Sequence, residues 1–209
     1  MATRKASGFR IEHDSMGELR VPGRALWGAQ TQRAIGNFAI SARPMPAAFI
    51  RALALTKAAA ALVNGHLGLL ARAQADAIVE AATAIAGGAH VEQFPVDRYQ
   101  TGSGTSSNMT ANEVLAPVAA AASGPSIHPN DHVNLGQSSN DVVPTALRVM
   151  AVQGARQDLL PALRHLRKTI DKRAKALGKI VKTGRTHLMD AMPLTVAQEF
   201  GAWSAQLDS

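Results

Sequence analysis

Between Pro46 and Leu177, apolar residues recur at three- and four-residue spacing in stretches too long for strands. Phe49, Leu53, Thr56, Ala60 and Val63 form one such stripe, which Pro46 opens and which stops near Gly65. A second helix is expected from about Ala71 to Ala86, where Gly87-Gly88 supplies a favoured C-terminal signal. A third, rich in alanine, is expected from about Asn108 to Ala122 and is broken by Ser123-Gly124-Pro125. A longer pattern runs from Asp141 to about Leu177. Pro144 lies in its first turn, while Pro161 should kink or divide it. Pro193 is placed to open a last helix, Leu194 to Leu207. Residues 1–44 are mixed, with turn signals at Gly17, Pro22-Gly23 and Gly36. Roughly one residue in five is alanine, the best helix former, and aromatic residues are 4%. Such a composition suits helices packed through small side chains and disfavours a β-sandwich or barrel. The expected fold class is mainly α.

Lys and Arg number 22 against 15 Asp and Glu, a net charge of +7. The basic residues are scattered. Their densest run, Arg164 to Lys182, has helical spacing and no interleaved aromatics for base stacking, which argues against nucleic acid. A positive field that attracts small dianions fits the charge equally well. Cysteine is absent, so there is neither a disulfide framework nor a thiolate metal site. His128, Asp131 and His132 match no standard zinc spacing, and no metal is expected. The first ten residues carry no apolar signal region, and no stretch approaches the ~20 uninterrupted apolar residues of a membrane span. A cytoplasmic protein without a membrane partner is the expectation.

Three polar loops interrupt this helical chain. Gly102-Ser103-Gly104-Thr105-Ser106-Ser107-Asn108 brings hydroxyls and backbone N–H groups to a helix start, where carboxylate or phosphate oxygens bind well. A plain helix cap explains the same residues. The loop lacks the lysine of a nucleotide-binding P-loop. Ser138-Ser139-Asn140-Asp141 puts four polar side chains where one would cap. Thr186-His187 sets an imidazole beside a hydroxyl, a candidate acid–base pair or else a satisfied structural histidine. Asp190 is available to orient that ring or to cap the following helix.

Taken together, these segments resemble the fumarase/aspartase superfamily, and within it the class II fumarate hydratases. The first motif runs from Thr101 to Met109, followed by Ala111-Asn112-Glu113-Val114. The second is His128-Pro129-Asn130-Asp131-His132-Val133-Asn134 with Gln137-Ser138-Ser139-Asn140-Asp141 and Pro144-Thr145-Ala146. The third is Gly184-Arg185-Thr186-His187-Leu188-Met189-Asp190-Ala191 with Pro193 and Gln198-Glu199. Asp14 to Glu18 and Trp27 to Gln32 agree as well. Two stretches depart from the family pattern: Leu135-Gly136, and Gly124 to Ile127, where a basic residue is common.

The resemblance implies reversible trans addition of water to fumarate, giving (S)-malate, with no metal or organic cofactor. It assigns the substrate carboxylates to Ser103, Gly104, Thr105, Ser138, Ser139, Asn140 and Thr186, and proton transfer to His187. It makes His128, Pro129, Asn130 and Asp131 a secondary dicarboxylate site. Its fold is a helical N-terminal domain, here residues 1–137, followed by the first long helices of a central bundle, here 138–209. Its assembly is a homotetramer. The family's flexible Gly-Ser-Ser loop, which supplies a serine base with a lysine and an asparagine, has no counterpart in these 209 residues. The chain is therefore expected to be an incomplete portion, inactive alone. An aspartate ammonia-lyase-like enzyme is the alternative reading. A helical scaffold that keeps the fold without the chemistry is the other.

Overall fold

The computed structural model describes residues 8–123 and 126–209. The chain divides into two compact units, Met1–Met150 and Ala151–Ser209.

The first unit opens with an antiparallel hairpin of β1 (Phe9–Asp14) and β2 (Gly17–Pro22), in register from Phe9 opposite Pro22 to Asp14 opposite Gly17. In the sequence this stretch reads as mixed, because the alternation spans only six residues in each strand. Helix α1 (Ala29–Asn37) follows. Two carboxylates fasten it. Asp14 accepts from Arg33 Nε at 2.6 Å and Nη2 at 2.8 Å, which holds the Asp14 carboxyl below the usual carboxylate range. Glu113, buried on another helix, caps the start of α1 by accepting from the N–H groups of Gly28, Gln30 and Thr31 at 2.9–3.0 Å. Those amides would otherwise lack helical partners.

Helices α2 (Ala47–His66), α3 (Arg72–Ala86) and α4 (Thr105–Ser123) form the core with the start of α5 (Ser139–Gly154). Phe49, Ile50 and Leu53 meet Ile78, Ile85, Val114 and Leu115 there. Alanine supplies much of the remaining contact: Ala52, Ala54 and Ala61 on α2, Ala75, Ala81 and Ala82 on α3, Ala111 and Ala119 on α4. Small side chains let the helix backbones approach, as the composition foretold. Helix α2 is long and apolar enough, by length and composition, to cross a membrane. In the structure it is a core helix that carries the buried polar residues Lys57 and Asn64. The expected break after α4 falls partly on residues 124 and 125, outside those described. A π-helical turn, Pro129–Val133, precedes α5.

The second unit contains a π-helical turn (Ala155–Leu159), α6 (Leu160–Ala176), the antiparallel pair β3 (Val181–Thr186) and β4 (Met189–Thr195), and α7 (Val196–Asp208). Pro161 divides the long helical pattern as expected: it stands in the first turn of α6, directly after the π turn. The last helix starts later than expected. Pro193 and Leu194 belong to β4, and α7 begins at Val196, where Thr195 and Gln198 form a reciprocal capping box. That cap defines a sharper start than proline does. Gly184 permits the hairpin, since a Cβ there would lie 2.6 Å from the Met192 carbonyl oxygen. Ser204 donates to Asp171 at 2.6 Å and Arg167 pairs with Asp208, joining α6 to α7.

Candidate functional site

In the first unit, the starts of α4 and α5 lie against each other and bring two of the polar loops together. Gly104 adopts φ +66°, and a Cβ on it would sit 2.8 Å from Val143 Cγ1, in the second turn of α5. Only glycine allows so close an approach in that conformation. Four residues on, Asn108 Nδ2 donates to Ser139 Oγ at 3.0 Å. Ser103, Thr105, Ser138 and Asn140 are exposed, so their polar groups open to solvent. Ser103 and Thr105 share a hydroxyl–hydroxyl bond of 2.9 Å. Gln100 takes up the Ser107 amide at 2.9 Å, and Ser138 Oγ takes up the Asn140 amide at 3.3 Å. Two helix N-termini and several hydroxyls therefore converge, an arrangement suited to carboxylate oxygens.

His128, Pro129 and Asn130 line a separate cleft of about 740 Å³, together with Asp14, Gln30 and Glu113. His128 Nδ1 faces both the Asp131 amide, at 3.2 Å, and the Asp131 carboxylate, at 3.1 Å. A neutral ring accepts from the amide; a protonated ring donates to the carboxylate. His132 Nδ1 accepts from the His128 N–H at 2.8 Å, so that nitrogen is committed to the backbone. None of Ser103, Thr105, Ser138, Ser139 or Asn140 lines this cleft.

Thr186 and His187 belong to the second unit, at the tip of the β3–β4 hairpin. His187 and Leu188 form its two-residue turn, with φ +51° and +60°. Turns of this kind favour glycine and asparagine. A histidine and a leucine held there carry strain on the order of 1–2 kcal/mol each, the sort of conformation that concentrates at functional sites. Both side chains are exposed. Asp190 neither orients the ring nor caps a helix; its carboxylate lies 3.7 Å from Arg185 Nε across the hairpin.

A buried polar network behind Ser139 was not anticipated. Lys57 Nζ donates to Asn134 Oδ1 at 2.8 Å, and Asn108 Nδ2 donates to the same oxygen at 3.2 Å. Burial pushes the Lys57 pKa down to about 7. The one available signal was Lys57 and Asn64, seven residues apart and so on one face of α2, with six apolar residues between them. A second buried group, Asp97, is displaced in the other sense from what burial alone would do. Burial raises its pKa, but the amides of Tyr99, Ser41 and Ala42 and the Ser41 hydroxyl outweigh that and hold it at about 2.

A profile of the family described as Lyase matches residues 17–209. A class II fumarate hydratase of Xylella fastidiosa is 68% identical over 201 residues, covering 96% of this chain and 42% of the relative. One from Corynebacterium glutamicum is 55% identical over 199 residues, covering 95% and 42%. The crystal structure of a recombinant class II fumarase from Schistosoma mansoni superposes with a TM-score of 0.90 at 39% identity, over 96% of this chain and 43% of that one. The chain thus spans less than half the length of the relatives it matches.

Proposed function

This chain belongs to the lyase family, and on that footing we propose that it is the N-terminal portion of a class II fumarate hydratase, which interconverts fumarate and (S)-malate. The observation that carries the reading is the convergence of the α4 and α5 starts, where Gly104 packs on Val143 and Asn108 bonds to Ser139. In the proposal Ser103, Gly104, Thr105, Ser138, Ser139, Asn140 and Thr186 hold the substrate carboxylates. Removing the proton beside a carboxylate builds negative charge on that group. Hydroxyl, amide and backbone donors fixed in advance stabilise it as it grows. His187 moves a proton on the water side, a task for an imidazole because its ring nitrogens can both accept and donate one. The strained His187–Leu188 turn supports that assignment. His128, Pro129, Asn130 and Asp131 serve as the secondary dicarboxylate site, supported by the cleft they border.

The same proposal takes residues 1–137 as the N-terminal lyase domain and 138–209 as the start of a central bundle, in a homotetramer of the cytoplasm. The exposed Leu159, Leu160, Leu166 and Trp203 of the second unit suit helices that pack against further helices. The test uses the complete protein carrying this chain. It is offered fumarate in water, and then fumarate with ammonia, while the ultraviolet absorbance of fumarate is followed. Malate formation without aspartate is expected. Aspartate formation would move the assignment to an ammonia-lyase, and no reaction with either would overturn it.

A further inference from the structure

Among the described residues, Lys57 is the one lysine or arginine with no solvent exposure. Burying an ammonium is unfavourable, and an aliphatic residue would fill the same place in α2 without that penalty. What Lys57 does there follows from its bonds. An ammonium has three donors and no acceptor. At 2.8 Å from Asn134 it therefore requires Oδ1, not Nδ2, of that amide to face it. Asn134 Nδ2 is thereby turned to the carbonyl of Gln137, at 3.1 Å, immediately before Ser138. Asn134 Oδ1 also accepts from Asn108, which must then present Nδ2, and the second hydrogen of that Nδ2 goes to Ser139 Oγ. The orientation is held even though it leaves Asn108 Oδ1 buried without a hydrogen-bond partner among the described residues.

We propose that Lys57 is a positioning residue that sets the polarity of this relay, Lys57 to Asn134 to Asn108 to Ser139, so that the Ser139 hydroxyl is an acceptor toward the protein and a donor toward the substrate carboxylate. The inference rests on the functional reading above. With its oxygen taking a proton from Asn108, Ser139 has its own O–H left to point outward. Were Asn134 to rotate, Asn108 would be free to turn Oδ1 to the serine. The serine would then spend its proton on the protein and offer a carboxylate only lone pairs, which repel it. Asn64, two turns along the same face of α2, steadies the loop by donating to the Leu135 carbonyl at 3.0 Å. The ammonium form fixes the polarity outright; the neutral amine, reached as burial lowers the Lys57 pKa to about 7, still has two N–H donors for Asn134 Oδ1, but its lone pair no longer forbids the reverse orientation.

The test compares the complete protein with Lys57→Met, which matches the stem and removes the donors, and with Asn134→Leu, which cuts the relay one step later. Lys57→Met should fold, since methionine fills the same place in α2 and removes the cost of burying an ammonium. Fumarate kinetics should show KM raised at least tenfold in both variants, with kcat within threefold. In a Ser139→Ala background, Lys57→Met should have no further effect, because the hydroxyl it orients is gone. A merely structural role, or a long-range effect of charge, would instead add to Ser139→Ala. An active parent whose KM is unmoved by Lys57→Met, additivity in the double variant, or failure of both single variants to fold would each overturn the relay alone. A parent that leaves fumarate unchanged overturns the functional reading and the relay with it.

Discussion

Replacing Gly104 by alanine separates two costs that the structure makes distinct. The new Cβ would lie 2.8 Å from Val143 Cγ1 and 3.1 Å from Cγ2. Ordinary carbon contacts are about 3.5–4.0 Å, so the overlap exceeds half an ångström. Val143 is buried on α5 and β-branched, with one preferred side-chain rotamer in a helix, so it has little room to turn away. Overpacking of this kind costs about 1–3 kcal/mol. The backbone adds its own term, because φ +66° in an L-residue costs on the order of 1 kcal/mol. Gly104→Ala should therefore destabilise the protein by about 3 kcal/mol, read as a lower urea midpoint with unchanged slope. Val143→Ala removes both clashing methyl groups. In the double variant the steric part should vanish and the backbone part remain, a coupling of about 1–3 kcal/mol toward stability. If the loop yields instead of the core, the stability loss shrinks and fumarate KM rises, because Ser103 and Thr105 move with Gly104. A Gly104→Ala protein within about 0.5 kcal/mol of its parent, additive with Val143→Ala and unchanged in KM, would refute the close-packed description of the two loops.

Glu113→Ala strands the Gly28, Gln30 and Thr31 amides and should cost about 3 kcal/mol in urea unfolding, with Glu113→Gln between that and the parent. Lys57 titrates at about 7 when folded and 10.5 when unfolded, so the unfolded chain binds more protons between those values. Stability should then rise with pH across that window by about 1.4 kcal/mol per pH unit, and Lys57→Met should flatten the slope in a series of unfolding curves. His187→Asn in the complete protein should lower kcat roughly a hundredfold or more if the imidazole moves the proton, and turnover within threefold of the parent would reject that role.

Much of the helical frame was legible along the chain because local signals agreed with one another. Pro46, Gly87-Gly88 and Pro161 each fell at or beside the boundary they were expected to mark, and the alanines turned up where helices touch. The polar segments were legible too, since runs of Ser, Thr, Asn and His stand out against apolar helices, and their order carried the family resemblance, although the third, Thr186-His187, is a strand end and hairpin turn and not a loop between helices. The hairpins were not. Six- and seven-residue strands give too short a period to detect, and Pro193 and Leu194 read as a helix start until Thr195 and Gln198 closed the real cap. What only the tertiary structure decided was which groups meet across large sequence separations. Glu113 reaches back to the start of α1, Gly104 presses on Val143, and Lys57 governs Ser139 through two asparagines. Helix and loop follow from neighbours in sequence, whose periodicity and capping are local. The donor or acceptor character of a hydroxyl follows from buried partners that the chain brings together only when it folds.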